Sequence, residues 1–228
     1  MDQSIATNVV LTQIYEVSDP VEASAMSRIG VDHIGVLVGD GQFPREQTLG
    51  AAERIAAAIL PPSKFSALFL TDDVNLIETW AHKLRPDIVH LGAAPQLLVP
   101  SQVLKLKQTL AGPLIMRSVP VSAEASIALA KSYDQIADFL LLDSYRPSDR
   151  QIGALGITHD WSISRRIVES VRIPTILAGG LGPGNVADAI GQVRPAGVDS
   201  KTKTDRSGSH AKDLELVRQF HEAAQAAR

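Results

Sequence analysis

Three stretches within about fifty residues decide the fold: DFLLLDS at 138–144, IGALGITHDWS at 152–162 and PTILAGGLGPGNV at 174–186. The first predicts an apolar strand that ends in Asp143, and the third predicts a strand, a Gly-Gly turn and a helix. A parallel α/β barrel presents acidic side chains at the C-terminal ends of its strands in this way. A glycine turn that leads into a helix N-terminus is suited to bind phosphate. Together, the three stretches therefore favour a barrel with an acid and an anion site at its mouth.

Composition limits the classes of protein to which the chain can belong. Its 228 residues are 45% hydrophobic and carry a net charge of −3, which indicates a normal core and no basic surface for nucleic acid. No apolar run is long enough to span a bilayer, and residues 1–13 lack the features of a signal peptide. The absence of cysteine excludes disulfides and thiol chemistry. We expect one cytoplasmic domain over residues 1–228 that binds neither nucleic acid nor membrane.

Eight short apolar runs predict strands, and helical stretches separate them. The runs are continuous rather than alternating, as in parallel strands covered on both faces. The predicted strands are Val9–Ile14, His33–Val38, Phe65–Leu70, Ile88–Leu91, Leu114–Arg117, Phe139–Leu142, Thr175–Leu177 and Gly197–Asp199. Helices with recognisable starts are predicted at Val21–Ile29, Val74–Leu84, Glu124–Tyr133, Val186–Val193 and Lys212–Ala227.

This alternation predicts an α/β fold, a single parallel eight-stranded (β/α)8 TIM barrel. The competing fold is an open doubly wound sheet, whose glycine-rich fingerprint follows the first strand. Here residues 16–20 read EVSDP and contain no glycine. The barrel is therefore the better prediction.

In a barrel, the functional side chains lie where the strands end. Asp143 follows a run of leucines, so partial burial would raise the pKa of its carboxyl towards the range useful for proton transfer. Its alternative is a helix-capping or surface aspartate. Arg45 and Arg117 could each hold a carboxylate or a phosphate in a bidentate pair. His90 is a candidate base or ligand, although a structural histidine at a strand end is an equally good interpretation.

The ends of strands seven and eight suggest a phosphate site. Gly179 and Gly180 leave backbone N–H groups open to an anion, and the following helix N-terminus adds partial positive charge. Lys201 and Thr202, in the run SKTK at 200–203, could complete the cradle. The alternative is an ordinary turn between strand and helix beside solvated lysines.

Several motifs together resemble the phosphoribosylanthranilate isomerase family, whose members are (β/α)8 enzymes of tryptophan biosynthesis. The resemblance extends over most of the chain. The motifs that carry it are GVDHIG at 30–35, Arg45, LLLDS at 140–144, GALGITHDW at 153–161, AGGLGPGNV at 178–186 and GVD at 197–199.

The resemblance implies an Amadori rearrangement, in which an aldose amine becomes a ketose amine. In the family an aspartate protonates the furanose ring oxygen and a cysteine at the end of strand one removes the proton from C2. An arginine in the second loop holds the anthranilate carboxylate, and the ends of strands seven and eight bind the phosphate. By this resemblance Asp143 matches the acid, Arg45 the carboxylate binder, and Gly179 with Gly180 half of the phosphate site.

The chain departs from the family at two strand ends. The family motif Lys-Ile-Cys-Gly reads QIYE at 13–16, which puts Tyr15 in place of the cysteine and Glu16 in place of a glycine. A phenol with an ordinary pKa near 10 is a poor base at neutral pH. After strand eight, Val-Ser-Ser-Gly-Val-Glu becomes SKTKTD at 200–205, so Lys203 replaces a glycine beside the phosphate.

Three interpretations follow. The chain is an isomerase that acts on a phosphorylated sugar or amino sugar with a replaced base, either Glu16 or His90. Alternatively, it is an epimerase or lyase in which Glu16, His90 and Asp143 hold a divalent metal. The third is a non-catalytic relative that binds a metabolite.

We favour the first interpretation, with no cofactor, no metal, a phosphorylated small-molecule substrate, and a monomer or homodimer. The candidate catalytic residues are Asp143, Glu16 and Tyr15; the candidate substrate-binding residues are Arg45, His90, Arg117 and Gly156; the candidate phosphate-binding residues are Gly179, Gly180, Lys201 and Thr202.

Overall fold

A computed structural model describes residues 10–144 and 158–227. Strands and helices alternate along these residues. The strands are β1 (Leu11–Ile14), β2 (His33–Leu37), β3 (Lys64–Phe69), β4 (Ile88–Leu91), β5 (Leu114–Pro120), β6 (Phe139–Asp143), β7 (Thr175–Leu177) and β8 (Gly197–Ser200). The helices are α1 (Pro20–Ile29), α2 (Leu49–Ala58), α3 (Val74–Leu84), α4 (Pro100–Leu110), α5 (Ala125–Ser132), α6 (Trp161–Ser170), α7 (Val186–Val193) and α8 (Leu214–Ala226). A 3-10 turn over Thr202–Thr204 follows β8.

Aspartate side chains define the starts of four helices. Asp19, Asp73, Asp160 and Asp213 each accept a hydrogen bond from a backbone N–H group of the first turn of α1, α3, α6 or α8. These bonds satisfy N–H groups that have no partner within the helix. The predicted bounds of α3, α7, β4 and β7 are confirmed to the residue.

The strands close into a barrel in chain order, with β1 paired to both β2 and β8. Every neighbouring pair is parallel. The predicted (β/α)8 barrel is therefore confirmed. Because all the strands run in the same direction, their C-terminal ends meet at one mouth, and the side chains of the candidate site are presented there.

Two apolar layers hold the barrel together. The larger layer lies between strands and helices and includes Ile14, Leu140 and Leu142, while a smaller cluster that includes Tyr15 and Leu141 fills the barrel interior. Successive side chains of a strand point to opposite faces of the sheet. The residues that pair with Tyr15 and Leu141 on neighbouring strands therefore also point into the barrel. Those nearest the mouth are the polar side chains His90, Ser118, Asp143 and Asp199.

Among the residues that the structure describes, no helix combines the length and apolar character needed to cross a membrane. The extent of the domain over all 228 residues stays a prediction.

Candidate active site

Two carboxyl groups point into the mouth of the barrel from the ends of β6 and β8. Asp143 and Asp199 are 8% and 7% exposed and line the same two small cavities, of about 20 and 50 Å³. Asp143 Oδ1 accepts hydrogen bonds from the backbone N of Ser144 at 2.6 Å and from its Oγ at 3.2 Å. Asp199 Oδ1 accepts one from Gln13 Nε2 at 3.1 Å. The barrel thus holds two inward-facing acids on either side of β7.

Burial is the main cause of the altered acidity of both groups. It raises the pKa of Asp143 to about 7, against the opposing hydrogen bonds from Ser144. It raises the pKa of Asp199 to about 8, with a further contribution from the negative charge of Asp143. Because the two carboxyls repel each other, they titrate as a pair, and a form that holds one proton between them is populated at about pH 7–8. Such a pair can provide an acid and a base together.

Below this pair, a polar chain fixes the orientation of Asp199. Gln13 donates to Asp199 through Nε2, and its Oε1 lies 3.1 Å from His33 Nδ1. Burial lowers the pKa of His33 to about 4, so the ring is neutral at pH 7 and can donate its Nδ1 proton to Gln13. The chain therefore orients the amide towards Asp199 without adding a charge to the barrel interior.

Tyr15 fills the barrel at the end of β1. Its side chain is 4% exposed, and its ring lies against the backbone of Gly35 on β2. A Cβ atom added at Gly35 would lie 2.1 Å from ring carbons Cδ1 and Cε1 of Tyr15, well inside van der Waals contact. The aromatic ring thus requires glycine at position 35.

The Tyr15 hydroxyl group belongs to a buried hydrogen-bond network. It lies 2.7 Å from Ser66 Oγ and 2.6 Å from His90 Nδ1, while His90 Nε2 lies 2.7 Å from Ser118 Oγ. Burial raises the pKa of Tyr15 well above its ordinary value, and burial with the charge of Arg117 lowers that of His90 to about 3. Near neutral pH the phenol is protonated and the imidazole is neutral with both nitrogens engaged. This arrangement argues against either one as the base.

Glu16 is held between two cations. Its Oε2 lies 2.5 Å from Arg45 Nε and 3.4 Å from Lys201 Nζ, and its Oε1 accepts a hydrogen bond from Arg45 Nη2 at 3.1 Å. The Glu16 side chain is 8% exposed, compared with 34% for Arg45. The carboxylate is therefore committed to ion pairs, which argues against the expectation that it removes a proton from substrate.

A row of alternating charges continues from Glu16 across the loop after β8. Lys201 Nζ lies 3.0 Å from Asp205 Oδ2, and the fully buried Lys212 donates to Asp205 Oδ1 at 2.5 Å. Lys212 also donates to the backbone oxygen of Lys201 at 3.2 Å. These contacts fix the loop that carries Lys201.

The predicted phosphate-binding residues do come together. Gly179, Gly180, Lys201 and Thr202 line the smaller cavity with the two carboxyls. Gly179 and Gly180 have φ values of 88° and 63°, in the left-handed region that glycine adopts readily. Within the described residues, neither glycine donates a backbone hydrogen bond. Successive left-handed residues of this kind can direct their N–H groups towards an anion.

Arg117 lies elsewhere, so the expectation that it holds a substrate anion is not supported. Its side chain is fully buried in the layer between strands and helices. Nη1 donates to the Leu91 oxygen at 2.7 Å, Nη2 donates to the Leu98 oxygen at 3.3 Å, and the guanidinium carbon lies 5.4 Å from the centre of the Tyr133 ring. Arg117 and Ser118 are neighbours on β5, so their side chains point to opposite faces of the sheet. Ser118 points into the barrel, and Arg117 therefore points away from the mouth.

Sequence reasoning missed three polar groups that the fold brings to the site or its support: Asp199, Gln13 and His33. Asp199 could have been selected, because its place at the end of β8 in GVDS matches that of Asp143 at the end of β6. Nothing in the sequence links Gln13 to His33, because their contact depends on the pairing of β1 with β2. Gly156 falls outside the described residues.

The metal-dependent alternative receives no support from the geometry. In the described ranges, no three or more His, Asp or Glu side chains are grouped so that they could hold a metal. Of the three ligands expected for that alternative, Glu16 pairs with cations and His90 is bonded to hydroxyl groups through both nitrogens.

Comparison with known proteins agrees with this architecture. Residues 40–223 match the model of the family described as N-(5'phosphoribosyl)anthranilate (PRA) isomerase. The chain belongs to the phosphoribosylanthranilate isomerase family. It is 37% identical to the N-(5'-phosphoribosyl)anthranilate isomerase of Methanocella arvoryzae over 89% of this chain and 92% of that protein. It is 33% identical to the Haloferax volcanii enzyme of that name, over 93% and 91% of the two chains.

A solved structure supports the same assignment. Phosphoribosyl anthranilate isomerase from Thermotoga maritima superposes with a TM-score of 0.77 at 25% identity, over 94% of this chain and 98% of that one. The resemblance predicted from the motifs is thereby confirmed, and this protein is an isomerase-like TIM barrel. That Tyr15 occupies the family's cysteine position stays a prediction from the QIYE motif, although the chain certainly contains no cysteine.

Proposed function

We propose that this barrel isomerises a phosphorylated amino sugar by an Amadori-type rearrangement, with Asp143 as acid and Asp199 as base. The observation that carries the proposal is the pair of buried carboxyls beside the glycine-lined cavity. Family membership supports the reaction class, and the raised pKa of each carboxyl supports proton transfer near neutral pH.

Asp199 is a better candidate base than the residues expected from the sequence. Glu16 is paired with Arg45 and Lys201, whereas Asp199 has the uncharged Gln13 as its hydrogen-bond partner. His90 is neutral and uses both nitrogens within the buried network. A carboxylate that is desolvated by burial is also a stronger base than one stabilised by cations.

The proposed reaction uses the form of the pair in which Asp143 holds the one proton, and Asp143 donates it to the furanose ring oxygen. Asp199 has the higher pKa of the two, so it is the stronger base once it is ionised. The bond between C1 and the ring oxygen breaks, and the nitrogen lone pair forms an iminium group at C1. Ionised Asp199 then removes the proton from C2, whose bonding electrons form a C1–C2 double bond while the iminium electrons return to nitrogen. The resulting enolamine tautomerises to the ketose amine. The reaction needs no external oxidant or reductant.

The substrate phosphate would bind at the other side of the same cavity. The open N–H groups of Gly179 and Gly180 favour a phosphate, and Lys201 supplies charge nearby. Thr202 and Lys203 line the cavity from the loop after β8. At Gly182, an added Cβ would lie 2.6 Å from Lys203 Cβ, so glycine lets this loop approach the turn after β7 closely. The turn after β7 and the loop after β8, which form the two sides of the proposed phosphate site, are thereby kept together.

The decisive experiment measures turnover of N-aryl ribosylamine 5-phosphates, with anthranilate and with aniline as the aryl amine. We expect Asp143→Asn and Asp199→Asn each to lower kcat by about 10²- to 10⁴-fold, because each removes a proton-transfer group. Glu53→Gln, an exposed carboxylate changed in the same way on α2, is the matched control and should not affect turnover.

Two results would contradict the proposal. Full activity of both variants would exclude these carboxyls from the chemistry. Tight binding of ribose 5-phosphate without turnover of either amine would favour a non-catalytic metabolite-binding relative. Growth of a tryptophan auxotroph that lacks the isomerase, when supplied with this chain, tests the strict family reaction separately. The monomer or homodimer expectation stays a prediction.

A further inference from the structure

The ion pair between Glu16 and Arg45 closes a binding position at the mouth of the barrel. Both carboxylate oxygens of Glu16 face the guanidinium, with Oε2 2.5 Å from Nε and Oε1 3.1 Å from Nη2. This two-point geometry is the one by which an arginine recognises the carboxylate of a ligand. The Glu16 carboxylate therefore engages the N–H groups with which Arg45 would otherwise bind the carboxylate of a substrate.

The backbone gives independent evidence that this pair is a specific feature. Glu16 has φ 58° and Arg45 has φ 69°, so both partners lie in the left-handed region that favours glycine. Non-glycine residues in that conformation are strained, and they persist where the surrounding structure holds them. Here the strained backbone brings together the long side chains of Glu16, just after β1, and Arg45, in the loop after β2.

Neighbouring charges hold Glu16 in this position. Lys201 Nζ lies 3.4 Å from Glu16 Oε2, and Lys201 is fixed in turn by Asp205. If a ligand carboxylate displaced Glu16 from Arg45, Lys201 would be the one salt-bridge partner left to Glu16 among the described residues, and Glu16 is only 8% exposed. The approaching carboxylate would also meet the negative charge of Glu16. Both effects oppose binding of a second carboxylate.

We propose that Glu16 fills the carboxylate position of Arg45 from within the chain and thereby selects a substrate whose amine carries no carboxylate. Glu16 is a specificity-determining residue in this proposal. The substrate class is an N-substituted ribosylamine 5-phosphate, or a related amino sugar phosphate, with a neutral group facing the loop after β2. That substrate class rests on the proposed function, whereas the pairing of Glu16 with Arg45 does not depend on it.

Binding of unreactive analogues tests the selection. We would measure Kd by calorimetry for 1-(phenylamino)-1-deoxyribitol 5-phosphate and for its ortho-carboxy derivative. Wild type should bind the neutral analogue at least tenfold more tightly. Glu16→Gln should bring the two Kd values together or reverse their order, because it removes the competing charge and keeps the side-chain size. Glu53→Gln is the matched control and should retain the wild-type ratio.

A second measurement is independent of any sugar phosphate. Benzoate is titrated into the full chain, and the ¹⁵N–¹H signal of Arg45 Nε, assigned by its loss in Arg45→Lys, is followed by NMR. In Glu16→Gln the signal should shift until it saturates, whereas in wild type it should either not shift or shift with a Kd at least tenfold higher. A shift of equal size and affinity in both proteins would overturn the proposal.

The two measurements separate the failure of this inference from that of the proposed function. If neither analogue binds but benzoate binds only to Glu16→Gln, Glu16 does occupy Arg45 and the proposed sugar phosphate substrate is wrong. If wild type binds the carboxy analogue more tightly, and Glu16→Gln leaves the ratio unchanged, Glu16 does not select the substrate.

Discussion

The mouth of the barrel has two halves that differ in how their polar side chains are engaged. In the β6–β8 half, Asp143, Asp199 and the glycine turn after β7 surround a cavity. In the β1–β4 half, the Tyr15 ring packs against Gly35 and Glu16 pairs with Arg45, and Tyr15 and Glu16 both line a second cavity that reaches the two carboxyls. The predicted acid and the glycine turn of the family resemblance lie in the first half, which departs from the family motif after β8, and the departures at 15 and 16 lie in the second half. The polar groups of the first half thus face a cavity with few partners, whereas those of the second half are committed to contacts within the chain.

The largest expected effect concerns the space that Tyr15 fills. Gly35→Ala would place a methyl group 2.1 Å from two carbons of the Tyr15 ring inside a closed barrel. Such overpacking should lower the free energy of unfolding by about 3 kcal/mol or more, measured by urea denaturation. In a Tyr15→Ser background the same substitution should cost much less. Equal costs in both backgrounds would show that the ring does not determine the choice of glycine.

The next effect concerns the two carboxyls of the β6–β8 half. The pKa values of Asp143 and Asp199 are raised to about 7 and about 8, so the folded protein holds protons that the unfolded chain releases near pH 4. Their stabilising contribution is complete below about pH 4 and is lost as pH rises through 7–8. We expect the free energy of unfolding to fall by about 2 kcal/mol or more between pH 5 and 9.

Asp199→Asn should flatten this pH profile, because the amide cannot ionise and its oxygen can still accept from Gln13. Glu53→Gln should leave the profile unchanged. Denaturant titrations at several pH values make the comparison, and an identical slope for wild type and Asp199→Asn would contradict the raised pKa of Asp199.

A smaller effect is expected within the β1–β4 half. Tyr15→Phe removes the hydroxyl group that lies between Ser66 and His90 and leaves the ring in place. Two buried polar groups would lose a partner, which should cost about 1–2 kcal/mol of stability in thermal or urea unfolding. Ser132→Ala on α5, whose exposed hydroxyl bonds to the Leu129 oxygen, serves as a control for loss of a surface hydroxyl. Equal losses for the two variants would show that the buried network adds nothing specific.

The smallest effect separates backbone strain from the ion pair. Glu16→Gly removes the pairs with Arg45 and Lys201 but relieves the left-handed backbone, so stability should change by less than about 1 kcal/mol. Glu16→Ala loses the same pairs and keeps the strain, so it should be about 1 kcal/mol less stable than Glu16→Gly. Thermal unfolding of the two variants tests this difference, and equal stability would show that position 16 is not strained.

Local patterns made most of the fold predictable. Continuous apolar runs identified all eight strands, and start signals or an amphipathic pattern identified five helices with nearly correct bounds. The main error in bounds was β5, which extends to Pro120 rather than ending at Arg117. Polar Arg117 and Ser118 look like the end of a buried strand in sequence. In the fold they are satisfied by carbonyl oxygens and by His90, so the strand continues.

The candidate site was predictable only in part. Asp143, Gly179, Gly180, Lys201 and Thr202 were selected from strand ends, and they do line one cavity. Which strand face each side chain occupies depends on register, and this is why Arg117 was misplaced and Asp199 was missed. The partners of Glu16 and Tyr15 come from loops and strands far along the chain, so local sequence could not reveal that both are committed to contacts within the protein.

By itself, the sequence determined the alternation of strands and helices, the barrel, and an acid near a glycine turn, because hydrophobic periodicity, capping and turn chemistry are local properties. Only the tertiary structure decided which polar groups share the interior: Asp143 with Asp199, Tyr15 with His90, and Glu16 with Arg45. Closure of the barrel brings these distant residues together in a space with little water. Burial then sets the protonation of the carboxyls, and pairing with two cations engages the carboxylate of Glu16.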